Sequence, residues 1–287
     1  MWLILSLIAG LGDALRDALS KRAAQTIPRP LITWSYSLFA IPFLVPIVIA
    51  NMPELIPSEF WLFVAFTSTC HVFGGLLLVK ALHSSDLSVC TPMIAFTPVF
   101  LLVVGPALTG DLPSFAGVLG ALLVVIGSYV LNISQSRAGW LAPFKALYTQ
   151  TGPRLMLILA LLWSVTGSVD RIAVKRFDLM FWGSAQLCAI AILLLPIVIY
   201  SGALRQRPSL RGVRSLVSIG AVNCVSLITY LIALTVAPVH YVICIKRLSI
   251  PISVVLGRFM FNEDLLADRL PGAVLMFAGV IVISIWG

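Results

Sequence analysis

TPVFLLVVGPALTGDLPSFAGVLGALLVVIG, residues 97–127, decides how this chain is read. An apolar run that opens on Thr97-Pro98 ends at Gly110-Asp111. A second apolar run follows, with Gly120 and Gly127 seven residues apart. The pattern returns in IPISVVLGRFMFNEDLLADRLPGAVLMFAG, residues 250–279: Ile250-Pro251, then Asn262-Glu263, then Gly272 and Gly279 with the same spacing. A third match lies upstream, where RDALSKR (16–22) and DRIAVKR (170–176) each close an apolar run at an offset of 154. Three matches in the same order identify an internal duplication.

Outward from these anchors, apolar runs bounded by Pro, Gly and charge predict spans at 2–22, 31–50, 59–82, 87–108, 113–133, 154–176, 180–200, 212–235, 239–261 and 270–286. Each is close to the roughly 20 residues that a helix needs to cross a hydrocarbon core of about 30 Å. The polar stretch 134–153 separates a first repeat, 1–133, from a second, 154–287. Five spans is an odd number, so the second repeat enters from the opposite side. The reading is an all-α integral membrane protein: ten transmembrane helices as two inverted five-helix repeats around a central cavity. In such a plan the solute site lies near the bilayer midplane.

Composition agrees. The 287 residues are 60% hydrophobic and 10% charged, with a mean hydropathy of +1.06, whereas soluble domains carry about 25% charged residues. The net charge of +8 forms no stripe or domain, which speaks against nucleic acid as a partner. The positive charges instead sit between spans and set orientation. Lys21, Arg22, Arg29, Lys80, Arg137, Lys145, Arg154, Arg205, Arg207, Arg211, Arg214, Arg258 and Arg269 fall on one side, against Lys175 and Arg176 on the other. This places both termini outside the cytoplasm, with the bacterial inner (cell) membrane as the expected location. Met1 to Ala9 lacks a positive n-region and is followed by Asp13, Arg16 and Asp17, so it reads as the first permanent span. Cys70, Cys90, Cys188, Cys224 and Cys244 stand singly in apolar runs without ligand spacing and read as packing residues. No metal site and no cofactor are expected.

The paired order of a Pro-containing span, an acidic turn and a Gly-x6-Gly span resembles the duplicated EamA domain of the drug/metabolite transporter superfamily. That resemblance implies a ten-helix secondary carrier with a central cavity, and leaves the cargo open among amino acids, nucleotide sugars, sugar phosphates and cations. KRLSI (246–250) is similar to the Lys-Arg-Ile/Leu-Ser stretch in the ninth helix of plastid triose-phosphate/phosphate translocators, whose basic pair binds phosphate. Those carriers also have a lysine four residues before the proline of the fourth helix; here that position is Ile94.

Ionisable groups inside spans are costly and mark function by default. Lys246 and Arg247 stand eight and nine residues beyond Pro238, about 12 Å into the helix at 1.5 Å per residue, while their counterparts Met93 and Ile94 are apolar. Pro251 lacks an N–H and leaves the Arg247 carbonyl without its usual helical donor. The pair is the candidate anion site. Asp13, Arg16 and Asp17 on the first span face Asp170 and Arg171 on the sixth by repeat alignment. Equivalent positions there carry opposite signs, which predicts cross-repeat ion pairs Arg16–Asp170 and Asp17–Arg171 acting as a gate. Asp13, whose counterpart is Gly167, is the candidate proton or cation site. His71, Gln186, Asn223 and Tyr230, with Trp34, Trp163 and Tyr241, are candidate cargo contacts. His83 and His240 fall at span ends and read as solvated.

A membrane enzyme would gather catalytic groups at one interface; HExxH, GxSxG and Gly-rich phosphate loops are absent from the sequence. Short loops leave no room for a nucleotide-binding domain, and a channel does not account for the unequal buried charges. The expected function is secondary transport by alternating access of a small polar or anionic metabolite, with membrane lipid as surroundings and a coupling proton or exchanged anion as partner. The alternatives are a proton-coupled exporter of amino acids or of neutral or cationic metabolites, and a flippase of a lipid-linked sugar or phosphate.

Overall fold

The computed structural model describes residues 1–50, 52–53, 55–85, 87–133, 140–206, 208–261 and 266–287. Asn262 and Glu263 of the second acidic turn, and Arg137 and Arg207 of the positive loops, lie outside them. The helices are α1 (Trp2–Ala23), α2 (Arg29–Leu38), α3 (Ile41–Ala50), α4 (Ser58–Ser84), α5 (Leu87–Ile94), α6 (Thr97–Thr109), α7 (Phe115–Ile133), α8 (Ala142–Thr149), α9 (Thr151–Arg176), α10 (Leu179–Tyr200), α11 (Leu210–Val236), α12 (Val239–Lys246), α13 (Ser249–Phe261) and α14 (Leu266–Trp286). Among the described residues there is no strand.

Nine segments among the described residues are long and apolar enough to cross a membrane. Three of them are pairs of short helices: Arg29–Ala50 holds α2 and α3, Pro92–Thr109 the end of α5 and α6, and Val239–Met260 α12 and most of α13. Helix α1 is as long as the others, but Asp13, Arg16 and Asp17 set it apart from the nine by charge. The stretch between the repeats, expected as a loop, contains α8. Its Phe144 packs edge-on against Phe96 at 5.8 Å and lies 5.5 Å from the ring of Tyr129, and these ring contacts, with burial of Pro143 and Ala146, hold a short helix that sequence polarity alone does not indicate.

Inversion of the repeats is visible where α7 meets α14. A Cβ built on Gly120 would lie 2.7 Å from the Gly279 carbonyl oxygen, and one on Gly127 would lie 2.6 Å from that of Gly272. First glycine meets last, so the two helices run antiparallel, as an inverted duplication requires. Such small-residue faces let backbones approach in a bilayer, where lipid tails are as apolar as leucine and packing drives association.

The breaks between α5 and α6 and between α12 and α13 occupy equivalent positions of the two repeats, just before Pro98 and Pro251. Each is bridged by tighter i to i+3 bonds. Phe96 N–H reaches the Met93 carbonyl at 3.2 Å, and Ile250 N–H reaches the Arg247 carbonyl at 3.0 Å. The Arg247 carbonyl, expected to be free, is therefore satisfied locally. Irregular backbone at this depth is tolerated where protein covers it or water fills a cavity beside it.

Candidate functional site

The two breaks face one cavity of about 1080 Å³ between the repeats. Arg247 Nη2 donates to Thr97 Oγ1 at 2.9 Å, and Thr97 donates in turn to the Ile94 carbonyl at 2.8 Å. One broken helix thus hydrogen-bonds to the other across the pseudo-symmetry axis. Among the described residues no carboxylate forms an ion pair with Arg247. Lys246 differs: its Nζ lies 3.1 Å from Asp13 Oδ2 and 4.5 Å from the centre of the Tyr230 ring.

Asp13 is a hub. It accepts from Ser226 Oγ at 2.7 Å and from Arg16 at 3.1 Å, besides pairing with Lys246. Arg16 also binds Asp17 at 2.9 Å, donates to Asn223 Oδ1 at 3.1 Å and lies over the Tyr36 ring at 5.1 Å. Asp13, Asp17, Arg16 and Lys246 therefore balance one another. Close packing holds α1 here, since a Cβ on Gly10 would lie 2.9 Å from the Lys246 carbonyl and one on Gly12 would lie 2.9 Å from Ser226 Cβ.

Asp13, Arg16, Asp17, His71, Trp163, Asp170, Tyr230, Lys246 and Arg247 all line the cavity. Four expected contacts lie elsewhere. Asn223 stands behind Arg16 and donates to the Tyr36 carbonyl at 2.9 Å, while Gln186 stands behind Asp170. The Trp34 indole donates to the Ala191 carbonyl at 2.9 Å, tying α2 to α10. The Tyr241 hydroxyl accepts from the Ser114 N–H at 2.9 Å, away from the cavity. Thr97, Thr166 and Ser253 line the wall and were not singled out from sequence. Thr97 had a signal, a hydroxyl beside a mid-span proline. Ser253 had none.

The expected gate pairs Arg16–Asp170 and Asp17–Arg171 are absent among the described residues. Adjacent helical positions diverge by about 100°, so Asp170 turns to Gln186 and Tyr230 while Arg171 turns away to Asp111 at 3.0 Å and to the Leu234 carbonyl. Lys175 adds a second contact to Asp111 at 3.6 Å. Burial pushes the Asp111 carboxyl up, but the hydrogen bond and charge of Arg171 and the charge of Lys175 outweigh it and hold it below the ordinary carboxylate value. His240 also departs from expectation: it is 0% exposed, against the Tyr241 ring at 4.3 Å, because α6 closes over it at Gly105. His83 is exposed.

These contacts give the cavity a direction. Lys21 and Asn132, at the C-terminal ends of α1 and α7, and Arg269, near the start of α14, line it at one face. At the other face Arg171 pairs with Asp111, and the Ser114 N–H donates to the Tyr241 hydroxyl. The cavity lining reaches the face of the positive loops and does not include Asp111, Ser114, Arg171 or Tyr241.

The family model of the EamA-like transporter family matches residues 1–133 and 150–285. The chain belongs to the EamA-like transporter family. It is thereby a member of the drug/metabolite transporter superfamily and a multi-pass integral membrane protein built as two EamA repeats. The match does not extend to the plastid translocators, so that similarity rests on residues 246–250 alone. Among curated proteins none matches. A solved structure titled "Crystal structure of protein" shares the fold with a TM-score of 0.77 at 17% identity, covering 100% of this chain and 99% of its own.

Proposed function

We propose that this EamA-like protein is a secondary carrier for a small organic anion bearing a phosphate or carboxylate, moved by alternating access between the repeats. One observation carries the reading: Arg247 lines the cavity at a helix break where, among the described residues, the Thr97 hydroxyl is its side-chain hydrogen-bond partner and no carboxylate pairs with it, whereas the neighbouring Lys246 is neutralised by Asp13. A guanidinium can hold an oxyanion through two parallel hydrogen bonds, and Thr97 orients it from the opposite repeat. The sequence-level assignment of the basic pair is thereby refined. Arg247 meets the anion, and Lys246 joins α12 to α1.

A cavity lining that reaches one face and leaves out Asp111 and Ser114 at the other is what one end state of an alternating carrier requires. With positive loops inside, the open face is cytoplasmic and the membrane is the bacterial inner membrane. Counterflow of labelled inorganic phosphate, glycerol phosphate and succinate into proteoliposomes tests the reading. Exchange of at least one of them by wild-type protein supports an anion carrier; exchange of neutral or cationic solutes only would overturn it.

A further inference from the structure

Asp170 lines the cavity from α9 and is 4% exposed. Its carboxylate accepts from Gln186 Nε2 of α10 at 3.0 Å and from the Tyr230 hydroxyl of α11 at 3.5 Å. None of these groups carries a charge. Nearby charges are engaged elsewhere: Arg171 with Asp111, Lys246 with Asp13, Arg16 with Asp13 and Asp17. His71 of α4 lines the same cavity, and α6 has no ionisable side chain. Among the described residues Asp170 forms no ion pair.

A charge buried in a bilayer calls for compensation, and neutral donors supply hydrogen bonds but no countercharge. A metal cation would take several oxygen acceptors, as hard cations do, but the amide nitrogen and the hydroxyl that reach Asp170 both act as donors to it. A proton needs only the carboxylate.

We propose that Asp170 is the proton-binding site of this carrier, which deepens the anion-carrier reading and rests on it. A carboxylate oxygen takes a proton from cavity water and becomes the neutral acid, and the proton leaves when the cavity faces the other side. Arg171, the next residue on the same helix, closes the far face through Asp111, so α9 carries both the proton site and the latch. Asp13, the candidate from sequence, is excluded from this role by its two cations and the Ser226 hydroxyl.

Infrared difference spectra between acidic and alkaline pH, on wild-type protein in lipid, supply the test, with the proton itself as probe. A buried carboxylic-acid C=O band should appear on acidification, persist in Asp13→Asn, vanish in Asp170→Asn and shift in frequency in Tyr230→Phe and Asp170→Glu. Tyr230→Phe and Asp170→Glu keep the carboxyl, so they decide the matter if Asp170→Asn fails to fold. A band unchanged in Asp170→Asn, or one that follows sodium or potassium at fixed pH, would overturn the proposal. In counterflow of the three anions, Asp170→Asn should lose the response to an imposed pH gradient; retention of that response would equally overturn the proposal. Because the spectra need no cargo, loss of all anion exchange in wild type with the Asp170 band intact would refute the carrier reading and spare the proton site.

Discussion

Lys246 Nζ lies 3.1 Å from Asp13 Oδ2, an ion pair that joins the second repeat to the first beside the cavity. Removing one partner of this partly buried pair leaves the other uncompensated, a loss on the order of 3 kcal/mol at the upper end for a partly solvated site. Lys246→Met and Asp13→Asn should each lower the thermal unfolding temperature in lipid, and the double variant should lose less than the two losses added. Strict additivity would show that the pair is not energetically coupled.

Glycine positions should separate into two classes. Gly127→Leu should abolish folded protein, and Gly127→Ala should cost about 1–3 kcal/mol as an overpacking change, because an added Cβ falls 2.6 Å from the Gly272 carbonyl. Gly75 lines the cavity with nothing within 4 Å of an added Cβ, so Gly75→Ala should leave the melting temperature unchanged. Size-exclusion profiles and thermal scans of the three variants check this.

These two classes of contact also mark how far sequence reaches. Among the described residues nine of the ten expected spans were legible, as were the duplication and its inversion, because a bilayer imposes run length and the duplicated glycines return at a constant spacing. Helix breaks were partly legible: Pro251 signalled a loosened backbone in its span, but the break before Pro98 and the i to i+3 bonds that satisfy the Arg247 carbonyl were not read from sequence. Partner choice was not legible. Aligning the repeats placed Arg171 opposite Asp17, yet a cavity whose lining reaches one face makes the repeats inequivalent, so α9 pairs with Asp111 while α1 lines the cavity. Asp111 is a turn residue by sequence, and its part as counter-charge to Arg171 and Lys175 follows only from the end of α9 packing beside it.

Asp111 should act as the latch of the closed face. Its folded value is depressed, so the stabilisation is present above the ordinary carboxylate value of about 3.9 and is lost as pH falls through the folded value. Asp111→Asn should mimic that loss at neutral pH, raising the rate at which an impermeant thiol reagent labels a cysteine placed at Ser114. Equal labelling rates with and without the substitution would show that Asp111 does not hold this face.

Orientation follows from the positive loops. A cysteine at Lys145, between the repeats, should be shielded from an impermeant outside reagent in intact cells, and one added after Gly287 should be labelled. The reverse pattern would invert the assignment of the open face.

The half-saturating anion concentration in counterflow, compared between wild type and Arg247→Lys, bears most directly on cargo recognition. A lost charge-assisted hydrogen bond is worth about 1.5–3 kcal/mol, which corresponds to roughly a ten- to hundredfold change, and lysine keeps the charge but not the paired geometry. With folding checked by thermal scan, the anion-carrier account predicts a rise in that range for Arg247→Lys and a larger one for Arg247→Gln. Unchanged half-saturation in both variants would contradict it.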